Sequence, residues 1–354
     1  MNQKSSLILL ATACLAFAIT SSAKAVTTCT FTISGPAVHP TMTLNADCIT
    51  DMSIIIPNNF TLDGAGHKIT AVDPLLGHFT GGVLQNGGPT ANVTNVTITA
   101  SGLANVCDAG AMRLRGILFD GASGSITSTT VLNINQGVSG CQEGNGIEVR
   151  NFGASPTTIR VLIDGNTVTN YQKTGIVANG DADATITDNI VTGVGPQPLI
   201  AQNGIQVGFG ASGMVKRNQV SQNEYTGPGV SSGGILVVGG PFYDPTFSNF
   251  CVGVQIMQNT VAENDVGVFL SNLNMDQSAP STATNNKVIS NTISKAAVTN
   301  PGYQAGVSDV GNNDKIISNT ITGAGYDPAT APGITFSVDA DPSFTNRAKV
   351  HANK

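Results

Sequence analysis

Cys141–Asn151 reads CQEGNGIEVRN, Tyr171–Gly180 reads YQKTGIVANG and Ile200–Gly210 reads IAQNGIQVGFG. Each is a polar knot, then Gly-Ile, then a short alternating stretch and a turn. Gly146, Gly175 and Gly204 stand 29 residues apart. A fixed period of that size, with one strand per repeat, is the mark of stacked coils. Working outward, Gly-[Ile/Val] recurs at Gly116, Gly234, Gly267, Gly306 and Gly333. A second unit, [Ile/Val]-x-x-Asn-x-[Val/Ile], is interleaved with it: Ile163–Asn166–Val168, Ile186–Asn189–Val191, Val215–Asn218–Val220, Ile256–Asn259–Val261, Val288–Asn291–Ile293 and Ile316–Asn319–Ile321. Ile126–Thr129–Val131 is an earlier copy with Thr in the Asn place.

A coil this thin cannot bury its own apolar side. Stacking pairs each strand with the coils above and below and closes a continuous core. Ile147/Val149, Ile176/Ala178 and Ile205/Val207 alternate, so one face of each strand points inward. The glycines and asparagines read as turn residues that tolerate conformations others resist. Asn at the same place in each coil also predicts a ladder of stacked amides, a structural role and not a chemical one. Residues 26–60 carry strand signals without the repeat and read as an N-terminal cap, 61–340 as the coils, and 341–354 as a C-terminal cap or tail.

The interleaved units resemble the right-handed parallel β-helix repeats of the pectate-lyase-like superfamily. Repeat and resemblance together predict an all-β chain, a right-handed parallel β-helix solenoid of roughly ten coils with an N-terminal cap. That superfamily hosts lyases, hydrolases, epimerases and non-enzymatic adhesins, so fold does not dictate activity. The motif set of its pectin hydrolase branch is not assembled here: there is no Asp-Asp pair and no Gly-His-Gly.

Composition agrees with short strands and tight turns. There are 41 glycines in 354 residues, no Trp, and only 11% charged residues against 40% hydrophobic ones. Lys4, the apolar run Leu7–Ile19 and Ala23-Lys24-Ala25 fit a signal peptide over 1–25, which predicts a secreted protein, extracellular or periplasmic. The net charge of −6 argues against nucleic acid or an anionic membrane as partner. In an exported chain, Cys29–Cys48 and Cys107–Cys141 are the expected disulfides, leaving Cys251 unpaired.

Aligning the coils on Gly-Ile gathers the polar cargo. Leu118, Glu148, Val177 and Gln206 share one position, and Asp120, Arg150, Asn179 and Gly208 another. Of only four glutamates in the chain, Glu143 and Glu148 fall here, beside Arg150 and one coil from Lys173. This set suits β-elimination from a uronic-acid polysaccharide. That reaction needs a neutralised sugar carboxylate, a base near neutral pH, and a proton for the leaving oxygen. Lys173, Arg150 and Tyr171 are the catalytic candidates. Gln172, Gln202, Gln206 and Asn179 are candidate substrate contacts, with Phe242 and Tyr243 from the aromatic-rich insertion Gly240–Phe250. That loop either stacks on sugar or packs onto the body. The cluster resembles that of the calcium-dependent β-helix lyases, which implies Ca²⁺ on Glu143, Glu148 and Asn145, and no other cofactor. C5-epimerisation shares the abstraction step. The alternative is a non-catalytic glycan-binding or structural β-helix, with these side chains splayed apart.

Overall fold

The computed structural model describes residues 26–340, 345 and 347–354. The segment read as a signal peptide, and part of the tail, lie outside them. Three parallel sheets run along the molecule, one of twelve strands and two of ten. Each coil contributes one strand to each sheet in turn. Ile159–Asp164, Thr167–Thr169 and Thr174–Gly180 form one such round, and Ala182–Thr187, Ile190–Gln197 and Asn203–Gly208 form the next. The two rounds pair in register, with Ile163 opposite Ile186, Val168 opposite Val191 and Ile176 opposite Ile205. The chain is thus an all-β parallel β-helix of about ten coils. Parallel stacking already begins at Thr41–Leu44, which pairs with Phe60–Asp63. The early strands carry neither repeat unit, so the sequence pattern starts later than the stack does. Phe31–Ser34 lies antiparallel on Thr41–Leu44 and covers the open end.

The core is a set of aligned columns. Ile117, Ile147, Ile176, Ile205 and Ile235 form one, each wholly buried. Ile126, Ile163, Ile186, Val215, Ile256, Val288 and Ile316 form a second from the twelve-stranded sheet. Burying one such side chain contributes about 1.5–3 kcal/mol.

Two repeat residues act differently from the turn roles read in the sequence. The glycines that open the Gly-Ile strands are demanded by close approach. A Cβ on Gly175 would lie 2.4 Å from Val191 Cγ1 and 2.7 Å from the Gly204 carbonyl oxygen. The asparagines are not the left-handed residues either. The residue just before each one is: Gly165, Asp188, Arg217, Gln258, Ser290 and Ser318 all have φ between 56° and 65°. That corner frees the Asn amide to stack. Asn189 Nδ2 donates to Asn218 Oδ1 at 2.9 Å, and the Asn189 backbone N–H donates to the same oxygen at 3.0 Å. The pattern repeats from Asn166 through Asn189, Asn218, Asn259, Asn291 and Asn319 to Asn353. Thr129 joins the ladder through its backbone N–H alone, which donates to Asn166 Oδ1.

Cys29–Cys48 and Cys107–Cys141 are bonded, with Cα separations of 5.0 and 5.1 Å. Cys251 is free and buried, and burial pushes its thiol up to about 12. Formed disulfides place the chain in an oxidising, extracytoplasmic setting. Among the described residues no helix is long and apolar enough to cross a membrane. A third column, Val149, Ala178, Val207, Val237 and Leu270, breaks at the C-terminal end: opposite Leu270 stands Asp309, 2% exposed, in contact with Asp314. Thr345 covers it, its hydroxyl donating to Asp309 Oδ2 at 2.9 Å. Burial and the neighbouring Asp314 charge push the Asp309 carboxyl up to about 8.

Two outcomes follow from these contacts. Asn218→Ala strands both Asn189 donors in the interior and is expected to cost about 3 kcal/mol in urea unfolding; a loss below 1 kcal/mol would contradict a ladder that holds the coils. For Asp309 the folded pKa lies above the unfolded one. Its contribution is present at acid pH and lost as pH rises from the ordinary carboxylate range through about 8. Thermal melts of the native chain should therefore fall between pH 6 and pH 9 more steeply than those of Asp309→Asn, and parallel curves would refute the assignment.

Candidate functional site

The outer face of the third sheet, whose strands open with Gly-Ile, is the only sheet face flanked by long loops on both edges among the described residues. On one edge lie 133–144, 198–202, 226–232 and 295–303, and on the other 152–158, 240–254 and 273–286. The insertions at Gly240–Phe250 and Ser271–Asn286 leave from one edge; that at Tyr326–Pro332 leaves from the other. Between them runs a groove of two adjoining hollows, about 620 and 780 Å³, which share Gln142 and Lys173.

The strand register places the floor. Glu148, Val177, Gln206, Leu236 and Phe269 form one outward row, and Asp120, Arg150, Asn179, Gly208 and Val238 the next. The first hollow is ionic. Arg115 Nε meets Glu148 Oε2 at 2.6 Å, Arg150 Nη1 lies 3.3 Å from Glu148 Oε1, and Arg150 Nη2 lies 2.7 Å from Asp120 Oδ2. Burial works against the Glu148 charge, yet the two guanidiniums hold its carboxyl below the usual value. Asn145 Nδ2 donates to Glu148 Oε2 at 2.8 Å, while Asn145 Oδ1 is buried with no partner. Gln206 Nε2 donates to Asn179 Oδ1 at 3.0 Å. At the junction of the hollows, Lys173 Nζ donates to the Ala201 carbonyl at 2.7 Å and joins no ion pair among the described residues. Burial pushes its ammonium down to about 8.

Lys173, Arg150, Glu148, Asn145, Asn179 and Gln206 are thus brought together in the first hollow. Phe242 and Tyr243 line the second, their rings 5.2 Å apart and nearly perpendicular. Four other candidates are not in the groove. Tyr171 is 1% exposed and donates its hydroxyl to Asn223 Oδ1 at 2.6 Å. Burial pushes that phenol far above its ordinary value, so it is no proton donor to substrate. Glu143 accepts the backbone N–H groups of Asp108 at 2.9 Å and Leu114 at 2.8 Å, fastening the excursion that carries Cys107. Gln172 is spent on Ser139, Cys141 and the Gln136 backbone, and Gln202 on Tyr171, Gln172 and the Val194 backbone.

The calcium set is corrected on the same ground. Glu143 has both oxygens committed to backbone donors, and Glu148 lies between two guanidiniums. No group of three acidic, His or Cys side chains converges among the described residues. These residues do not fit a calcium site, and no chemical step is derived through one. Arg115, Leu236 and Phe269 are site residues that the sequence reading passed over. Carrying the Gly-Ile alignment two coils further would have placed Leu236 and Phe269; nothing in the pattern marks Arg115.

Residues 115–321 match a family model described as a right-handed beta helix region. No curated protein matches the chain significantly. Among solved structures, the Dettilon tailspike protein gp208 is similar at 17% identity and TM-score 0.47, covering 89% of this chain and 59% of the tailspike. The chain therefore spans about three fifths of that protein's length. The periplasmic alginate epimerase AlgG is similar at 13% identity and TM-score 0.44, covering 88% of this chain and 85% of the epimerase. DFA-IIIase from Arthrobacter chlorophenolicus A6, without its lid, is similar at 13% identity and TM-score 0.44, covering 87% of this chain and 80% of that one.

A lysine with a lowered folded pKa destabilises the fold while it is charged. That cost is fully present below about pH 8 and fades as pH rises towards the value of free lysine. Lys173→Met should therefore raise the thermal midpoint at pH 6 and change it little at pH 10; a lower midpoint at pH 6 would show the ammonium to be well solvated.

Proposed function

This chain belongs to the right-handed β-helix family, and on that premise we propose that it is a secreted protein that binds an acidic polysaccharide along its third sheet and cleaves it by β-elimination. The observation that carries this reading is the place and state of Lys173. It stands where the two hollows meet, outside the Arg115–Glu148–Arg150–Asp120 network, and its ammonium sheds a proton near pH 8. Arginine cannot do so at that pH.

In this scheme a uronate sits over Lys173 with its carboxylate towards Arg150 and the exposed Arg113. Neutral Lys173 takes the proton next to the carboxylate. The charge that builds on the carboxylate is offset by the guanidiniums and by the new ammonium. The bond to the leaving oxygen then breaks as the double bond forms. With Tyr171 sealed in the core, the Lys173 ammonium itself returns the proton to that oxygen. Epimerisation uses the same first step but needs a donor on the opposite face of the sugar; Tyr171 was the sequence candidate for protonating the leaving oxygen.

A second reading, a glycan-binding groove without catalysis, is favoured by one feature: Arg150 is already neutralised by Asp120 and Glu148 at 2.7 and 3.3 Å. A panel of uronate polysaccharides, followed by the ultraviolet absorbance of the unsaturated product, separates the two. Product is expected to form with a kcat/KM that rises with pH through about 8 and survives chelation of calcium. Lys173→Ala should lower it by at least about 100-fold. Undiminished activity in Lys173→Ala sinks the mechanism, and tight binding with no product from any polymer selects the second reading.

A further inference from the structure

The groove changes character along its length. On one side of Lys173 its floor is Arg115, Glu148 and Arg150; on the other the same outward row continues as Leu236 and Phe269. From Val177 to Phe269 is three rungs, about 14 Å at the usual strand spacing. A pyranose ring is about as long as one rung, so several sugars cross this stretch. Apart from Lys173 at its border, no Lys or Arg among the described residues lines this second hollow, and the acid that faces it is Asp339, since the Asp309 side chain points into the core. Two of its bordering tyrosine hydroxyls are engaged: Tyr243 with Ser271 at 2.5 Å, and Tyr303 with Asp339 at 2.6 Å and Ser308 at 2.9 Å.

A polymer charged at every sugar would therefore lay carboxylates on Leu236 and Phe269 with no cation to meet them, an uncompensated desolvation. We propose that the polymer is a heteropolysaccharide. The uronate at Lys173 is followed, over Leu236 and Phe269, by uncharged sugars bearing apolar substituents, such as the methyl of a 6-deoxy sugar or an O-acyl group. Aliphatic side chains and a phenyl face recognise methyl groups and sugar C–H faces, and they offer nothing to a hydroxyl. The site of cleavage rests on the reading of Lys173 above, whereas the demand for apolar sugars rests on the second hollow alone.

The test is calorimetric binding of the full chain to three probes: polygalacturonate, native acylated gellan (one uronate per four sugars, with a 6-deoxy sugar and acyl groups) and deacylated gellan. Native gellan is expected to bind at least about tenfold tighter than polygalacturonate, with deacylated gellan between them. Leu236→Asn and Phe269→Ser, both on the outer face, should each weaken gellan binding about tenfold, a larger loss than either causes with polygalacturonate, and should leave the thermal midpoint unchanged. Phe269→Leu should retain most of the gellan affinity. Equal affinity for polygalacturonate, no binding to gellan, or gellan binding indifferent to both variants overturns the inference. Lys173-dependent product from polygalacturonate, together with gellan binding that ignores Leu236 and Phe269, leaves the lyase reading standing while this one falls. Leu236-dependent gellan binding without product does the reverse.

Discussion

Every corner of a stacked coil turns backbone amides into an interior that has no water to satisfy them, and the fold exists because the coil above supplies the acceptor. At the corner between the first and second sheets that acceptor is an asparagine side chain. Each Oδ1 takes both the backbone and the side-chain N–H of the asparagine one coil below. The amide then reaches on to a carbonyl in the coil below, as Asn218 Nδ2 does to Ile186. Leaving such groups unmet costs about 1–3 kcal/mol each. The ladder explains the tolerated left-handed residue before each asparagine: the corner is strained so that the amide can stack, and the hydrogen bonds offset the strain.

That constraint also fixes the groove. Because the ladder holds successive coils in one register, outward residues of the third sheet stand in straight rows one strand spacing apart. Isolated charges in sequence thereby become neighbours. Arg115 and Asp120 come from one coil, Glu148 and Arg150 from the next, and the four make one chain of contacts. A network this buried is poor evidence for stability, since desolvation offsets much of the attraction. What it does supply is position: Glu148 is held from three sides by Arg115, Arg150 and Asn145.

The same geometry separates what could be read in the sequence from what could not. Strand residues alternate with a period of two, so aligning on Gly-Ile put Glu148 with Val177 and Gln206, and Arg150 with Asn179, as the strand pairing has them. Glu143, Tyr171, Gln172 and Gln202 lie before the strand, in the turn that enters the third sheet. No alternation governs side-chain direction there. Turn backbone carries unpaired donors and acceptors, and a long polar side chain nearby is drawn inward to meet them. All four did so. Their polarity marked the cost of bending the chain and not an exposed patch. Phe242 and Tyr243 were legible for another reason: in a chain of 5% aromatic residues a cluster on one insertion needs a surface to lie on, and the groove wall is that surface.

Lys173 is the residue on which both demands act. It too lies in the entering turn, and like its neighbours it spends its head group on a backbone carbonyl, that of Ala201. Unlike Glu143 and Gln172 it is not fully enclosed, and no carboxylate among the described residues answers its charge. A lysine kept for structure alone would be solvated or paired, as Lys295 is with the buried Glu224 at 2.9 Å. Lys173 is neither, and its ammonium is destabilised where two chemically different halves of one groove meet. A fold that retains a half-buried, unpaired cation tolerates a standing loss of stability. What results is an amine that a modest rise in pH leaves neutral and basic, in the hollow that Arg113, Arg115 and Arg150 also line.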